Sequence, residues 1–138
     1  MKIKIIVIGK VKEKSIHELI NEYLKRLKPY TKIEIIELKD KGLEKEAENI
    51  LPYLGNNSFI LDERGKEYTS IGFSELINKN QDIIFIIGSA EGISESLKKK
   101  ANLISLSKMT FTHEMARLFL IEQIYRSMMI LNNREYHK

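Results

Sequence analysis

Short apolar runs alternate along this chain with longer segments in which apolar residues recur every three or four positions. Lys2 to Gly9 (KIKIIVIG) starts as an alternation and becomes continuously apolar, which predicts a strand buried on both faces near its end. From Ile16, the residues Leu19, Ile20, Tyr23, Leu24 and Leu27 fall at helical spacing. Ser15 stands where an N-cap belongs, with Glu18 three residues on, and Pro29 ends the helix. Ile33 to Leu38 (IEIIEL) reads as a second strand. A polar break at Lys39 to Gly42 leads into a helix over Leu43 to Leu54, with Pro52 disturbing its last turn. Gly55-Asn56-Asn57 is a turn, and Ser58 to Asp62 (SFILD) a third strand. Glu63 to Tyr68 reads as a charged loop around Gly65, and Ser70 as the cap of a helix reaching about Lys79.

The remaining elements are a strand from Asp82 to Gly88, a short helix from Ser94 to Ala101 and a strand from Asn102 to Leu106. A long helix from Thr112 to Asn132 and a tail over 133–138 complete the chain. Strands separated by helices predict an α/β fold, a mostly parallel sheet with helices on both faces. No repeat, linker or low-complexity stretch divides it, so 1–138 reads as one domain. Ligands in such sheets bind beyond the carboxyl ends of the strands. Leu61, Gly88 and Ser107 all stand at predicted strand ends and would line one crevice. The pairing order of the strands does not follow from the pattern.

Composition narrows the class. A chain 43% hydrophobic and 30% charged is expected to be a soluble globular protein. No apolar run approaches the roughly 20 residues of a membrane helix, and the strand-like N-terminus does not read as a signal peptide. With no cysteine there is neither a disulfide framework nor a thiolate metal site, and no metal is expected. A cytoplasmic location fits. The net charge of +4 is unevenly placed. Residues 98–138 hold eight Lys or Arg against three Glu, while 1–97 hold fifteen against sixteen acids. A basic face attracts phosphates, so the final third is the expected nucleic-acid surface, although a solvated face accounts for the same count.

No G-x-G-x-x-G follows any predicted strand, which argues against a nicotinamide enzyme, and Gly88 and Gly92 are not spaced as a phosphate loop. What stands out is an ordered set: IIGSAEG at 86–92, LSKMTFTH at 106–113, ARLFLIEQIYRS at 116–127 and the final Tyr136-His137-Lys138. Taken together these resemble the SPOUT methyltransferases, specifically the ribosomal RNA large-subunit methyltransferase H family. The similarity extends more loosely over the whole chain.

That resemblance implies a C-terminal trefoil knot whose loops bind S-adenosyl-L-methionine (SAM), and a homodimer. It implies methylation of N3 of a pseudouridine in 23S ribosomal RNA, on assembled ribosomes. Carried over residue by residue, the SAM contacts fall on Leu61, Gly88 and the segment Leu106, Ser107, Lys108, Met109, Thr110, Phe111 and Thr112. Leu61, Leu106, Met109 and Phe111 would wall an adenine slot. The catalytic set is His137, His113, Arg117 and Tyr136, with either histidine able to take the imide proton. Arg117, Arg126 and Lys138 would face RNA; His113 and Arg117, four apart, share a helix face. Three positions depart from the family pattern: Ser89 replaces its second Gly, Ala90 its next Pro, and Thr112 the Pro before the His. None removes a catalytic group. Two other readings remain: a SPOUT methyltransferase with another RNA target, or a non-catalytic SAM- or RNA-binding module.

Overall fold

The structure, a computed structural model, describes residues 1–136. Its elements are β1 Lys2–Ile8, α1 Lys14–Leu27, β2 Lys32–Leu38, α2 Leu43–Ile50, a 3-10 turn Leu51–Tyr53 and β3 Ser58–Glu67. There follow α3 Ser70–Lys79, β4 Ile84–Ile87, α4 Glu95–Lys98, β5 Asn102–Ser105 and α5 His113–Leu131. The five strands form one all-parallel sheet in the order β2-β1-β4-β3-β5. This is the expected α/β architecture, with the pairing order now fixed.

Alternation along β1 divides the core. Ile3, Ile5 and Val7 face one side, where α1, α3 and α5 cover the sheet with Ile20, Leu27, Phe73, Ile77, Leu120, Ile121 and Ile124. Ile6 and Ile8 face the other side, under Ile50 of α2, Ile93 and Leu97 of α4. A strand buried on both faces must be apolar at consecutive positions, which is why IIVI runs unbroken. Each fully buried isoleucine is worth about 1.5–3 kcal/mol of transfer free energy.

Local expectations fail where a distant partner intervenes. Ser15 does not cap α1. The helix starts a residue earlier, at Lys14, and its N-cap Glu13 has no side-chain cap bond of its own. The carboxylate of Glu114, on α5, accepts the backbone N–H groups of Lys12 and Glu13 instead, at 3.1 and 3.0 Å. Ser70 is the first helical residue rather than the cap of α3; Thr69 caps, its hydroxyl accepting the Gly72 N–H at 3.0 Å. Pro52 converts the end of the second predicted helix into a 3-10 turn.

The largest difference is in β3. The charged stretch Glu63 to Glu67, expected as a loop, continues the strand, with a register shift between Leu61 and Lys66. Gly65 makes this possible. A Cβ there would sit 2.6 Å from backbone atoms of Leu103 and Ile104 in β5, so only glycine lets the two backbones approach.

Candidate active site

A pocket of about 960 Å³ opens beyond the carboxyl ends of β3, β4 and β5 and against the starts of α1 and α5. Its floor is Ile87-Gly88 and the tight turn that follows. A Cβ on Gly88 would lie 2.5 Å from the Gly92 carbonyl oxygen, so a side chain is excluded and the turn folds onto the strand end. The Gly92 N–H donates to the Ser89 carbonyl at 2.9 Å. The Ser89 hydroxyl accepts the Glu91 N–H at 3.3 Å, so this departure from the family pattern is spent inside the turn.

The second wall comes from the loop after β5. Ser105 donates its hydroxyl to the Ser107 carbonyl at 2.7 Å, and the Ser107 hydroxyl accepts the Met109 N–H at 3.0 Å. Thr110 is hydrogen-bonded to Glu63, which closes this loop onto the β3 bulge. Phe111 stacks edge-on against Phe119 at 5.1 Å, while Met109 is 76% exposed over the pocket. A large apolar side chain left open at the mouth of a cavity is a feature that ligand burial explains. Thr112 caps α5 by accepting the Met115 N–H at 3.2 Å, and His113 follows at the pocket edge.

The third wall is ionic. The side chain of Asp62 is only 7% exposed and pairs with Lys98 at 2.6 Å. Burial pushes its carboxyl up, but hydrogen bonds from Lys98 and from the Arg64 backbone and side chain outweigh that and hold it below the ordinary range. Arg64 also binds Glu95 of α4 at 2.9 Å.

Of the expected cofactor contacts, Leu61, Gly88, Leu106 and Ser107 line the pocket, as do Met109, Thr110, Phe111 and Thr112. Lys108 does not; it is exposed and reaches Glu67 at 3.8 Å. His113 lines the pocket, but Arg117 does not share its surroundings. Arg117 is 5% exposed, bound to Glu37 at 2.8 Å and donating to the Gly9 carbonyl at 3.0 Å. Its guanidinium is therefore committed to protein groups.

Arg126 lies further along α5, and Tyr136 in the tail beyond it. The tail folds back so that the Tyr136 hydroxyl donates to Glu122 at 2.6 Å and lies 3.3 Å from the Tyr23 hydroxyl. Arg126 pairs with Glu122 at 3.0 Å and stacks over the Tyr136 ring at 4.8 Å. Burial, then the neighbouring Glu122 carboxylate, pushes the Tyr136 phenol well above its ordinary value. His137 and Lys138 lie outside the described residues. Sequence reasoning missed Glu13, Ile16, Asp62, Arg64 and Lys98, all of which line the pocket. No local signal marks Glu13 and Lys98, because what they meet at the site, Glu114 and Asp62, is distant in the chain.

The family model described as "Predicted SPOUT methyltransferase" matches residues 1–137. The chain belongs to that family. Similar curated proteins, each called ribosomal RNA large subunit methyltransferase H, span it end to end. The one from Malacoplasma penetrans is 46% identical over 157 residues, covering all of both chains. That from Dictyoglomus thermophilum is 48% identical over 152 residues, covering 99% of each, and that from Acholeplasma laidlawii 43% over 150, covering all of both. No helix among the described residues of this SPOUT family member is long and apolar enough to cross a membrane.

Proposed function

We propose that this chain is a SAM-dependent methyltransferase of large-subunit ribosomal RNA, and that its target is N3 of a pseudouridine in 23S rRNA. The observation that carries the reading is the pocket. Its walls are the strand-end loops where the resemblance puts the cofactor, in a chain whose full-length relatives are named for this class of methyl transfer. The residues present suit SAM. Leu61, Leu106, Met109 and Phe111 offer apolar surface to an adenine ring, and the Gly88–Gly92 and Leu106–Phe111 loops offer backbone N–H and C=O groups to its polar parts. A volume of about 960 Å³ falls at the upper end of small-ligand sites.

Bound SAM supplies an electrophilic methyl group. The protein's share is to place the pseudouridine and to take its N3 proton, for which a neutral imidazole has a suitable pKa. His113, at the pocket edge, and His137 are the two groups for that task. The apolar walls exclude water around the transfer.

A homodimer belongs to the same reading. Tyr136 is tied to Glu122, nine residues and about 14 Å of helix beyond His113, and does not line the pocket of its own chain. A second copy would bring a tail to the pocket. The expected trefoil knot, the cytoplasmic location and action on assembled ribosomes are parts of this proposal. These 138 residues gain contact area from the ribosome and the dimer.

Labelled SAM incubated with ribosomes lacking this modification tests the proposal, with the product nucleoside identified. Label on N3 of a pseudouridine is the expected result. SAM binding without label would move the function to another RNA or to a binding module, and no SAM binding would overturn the cofactor assignment.

A further inference from the structure

Four of the eight lysines and arginines counted toward a basic C-terminal third are ion-paired among the described residues. Lys98, Lys108, Arg117 and Arg126 pair with Asp62, Glu67, Glu37 and Glu122 respectively. Lys99, Lys100 and Arg134 form no ion pair among the described residues, and a closer-set group of such cations lies just past β1, beside the pocket. Lys10, Lys12 and Lys14 are all exposed, and none has an ion-pair partner among the described residues. Two nearby acids are hydrogen-bonded to other groups: Glu114 to the backbone N–H groups of Lys12 and Glu13, and Glu37 to Arg117. Lys39 and Lys41, both exposed, follow β2 at its end, where the Gly9 N–H donates to the Leu38 carbonyl at 2.8 Å.

This segment is also held at the site. Glu13 and Ile16 line the pocket directly below it. Glu114 grips its C-terminal end through two N–H groups, and Arg117, one turn further along α5, grips its start through the Gly9 carbonyl. A loop carrying three free ammonium groups, fixed at both ends beside a substrate pocket, has already met much of the ordering cost of binding a polyanion.

We propose that Lys10, Lys12 and Lys14 form the phosphate-contact loop for the target RNA, with Glu114 and Arg117 as its positioning residues. This rests on the reading of the chain as an RNA methyltransferase. The loop faces the strand's phosphates while the pocket receives the base. Lys39 and Lys41 extend the same track along the sheet edge.

The test compares wild type with the triple variants K10Q/K12Q/K14Q and K10R/K12R/K14R on ribosomes lacking the modification, over a range of salt concentrations. Calorimetric SAM affinity is measured alongside. The Gln variant is expected to raise the ribosome KM at least tenfold. It should flatten the slope of log(kcat/KM) against log[salt] by about 2–3, at about 0.7–0.9 for each phosphate no longer neutralised. Its SAM affinity should stay within twofold, and the Arg variant should lie within about threefold of wild type, because charge rather than shape is being read. An unchanged salt slope in the Gln variant overturns the proposal. So does an Arg variant as impaired as the Gln one, and so does a Gln variant that loses SAM affinity, which would put the loop in cofactor binding. A wild-type protein that labels no ribosome overturns the parent reading, and this one with it; a Gln variant as active as an active wild type overturns this one alone.

Discussion

The two ends of α5 are built from the same kinds of residue and do different work. At its N-terminal end, Thr112 and Glu114 spend their polar groups on backbone, that of the helix's own first turn and of the start of α1, and Arg117 divides its guanidinium between the Glu37 carboxylate and the Gly9 carbonyl just past β1. At the C-terminal end, Glu122, Arg126 and Tyr136 spend theirs mainly on one another, inside an aromatic cluster with Tyr23 and Tyr125. Backbone partners fix where other segments lie, so the first end sets the geometry of the pocket. Side-chain partners fix only each other, so the second end sets the course of the tail.

Breaking the chemistry should have the largest effect. The double variant H113A/H137A should lose 10²–10⁴-fold in turnover at saturating SAM, the usual range for removal of a general base. SAM affinity measured by calorimetry should change little. Wild-type turnover would remove both histidines from the reaction.

Breaking the tie to β1 comes next. Arg117→Met leaves Glu37 and the Gly9 carbonyl without their donor. Because Arg117 is buried while Glu37 is partly exposed, the expected loss is about 1–3 kcal/mol in urea unfolding. The ribosome KM should rise too, since the lysine loop loses its anchor. Tyr136→Phe, at the other end, removes the contact with the Tyr23 hydroxyl and a hydrogen bond to a carboxylate that keeps Arg126, so about 1.5 kcal/mol is expected, the lower end for a bond to a charged group. It should leave SAM affinity intact.

The smallest effects distinguish the ends by sign. Glu114 is held below its ordinary value, chiefly by the Glu13 N–H. The folded state therefore favours its ionised form. Its contribution is complete above the unfolded value of about 4.3 and is lost as pH falls through the lowered folded one. Tyr136 is held above its ordinary value, so the folded state favours the neutral phenol. Its contribution is complete below the unfolded value of about 10 and is lost as pH rises beyond it. Melting temperature against pH should show Glu114→Gln flattening only the acid limb and Tyr136→Phe only the alkaline limb. A variant that flattens the opposite limb, or neither, would break the contrast.

These differences also explain what can be read from the sequence. Thr112 is visible as a cap because its partner lies three residues away. Ser15 misleads because the true partner of the α1 N-terminus, Glu114, is about a hundred residues away. Helical spacing puts Arg117 on the His113 face, but spacing cannot say which neighbour covers that face, and Glu37 does. The tract ERGKE carries no strand signal of its own; it pairs because Gly65 allows β5 to come close. Charge counted along the chain points to the final third, but ion pairing takes up Lys98, Lys108, Arg117 and Arg126 there and leaves Lys10, Lys12 and Lys14 in the first loop without a partner among the described residues. The strand-end loops are legible because each ends an apolar run with small residues, and no long-range partner is needed to see that.

The position of β3 has a consequence for how the protein is made. It lies between β4 and β5, both of which are synthesised after it, and the pocket wall at 62–67 is pinned to β5. Until Ser105 has emerged, β3 has an open edge, an invitation to pair with the wrong chain. Parallel pairing between such distant segments is slow. The pocket wall is therefore among the last parts to form, and a chain whose synthesis stops before β5 would present an unpaired strand rather than a half-built enzyme.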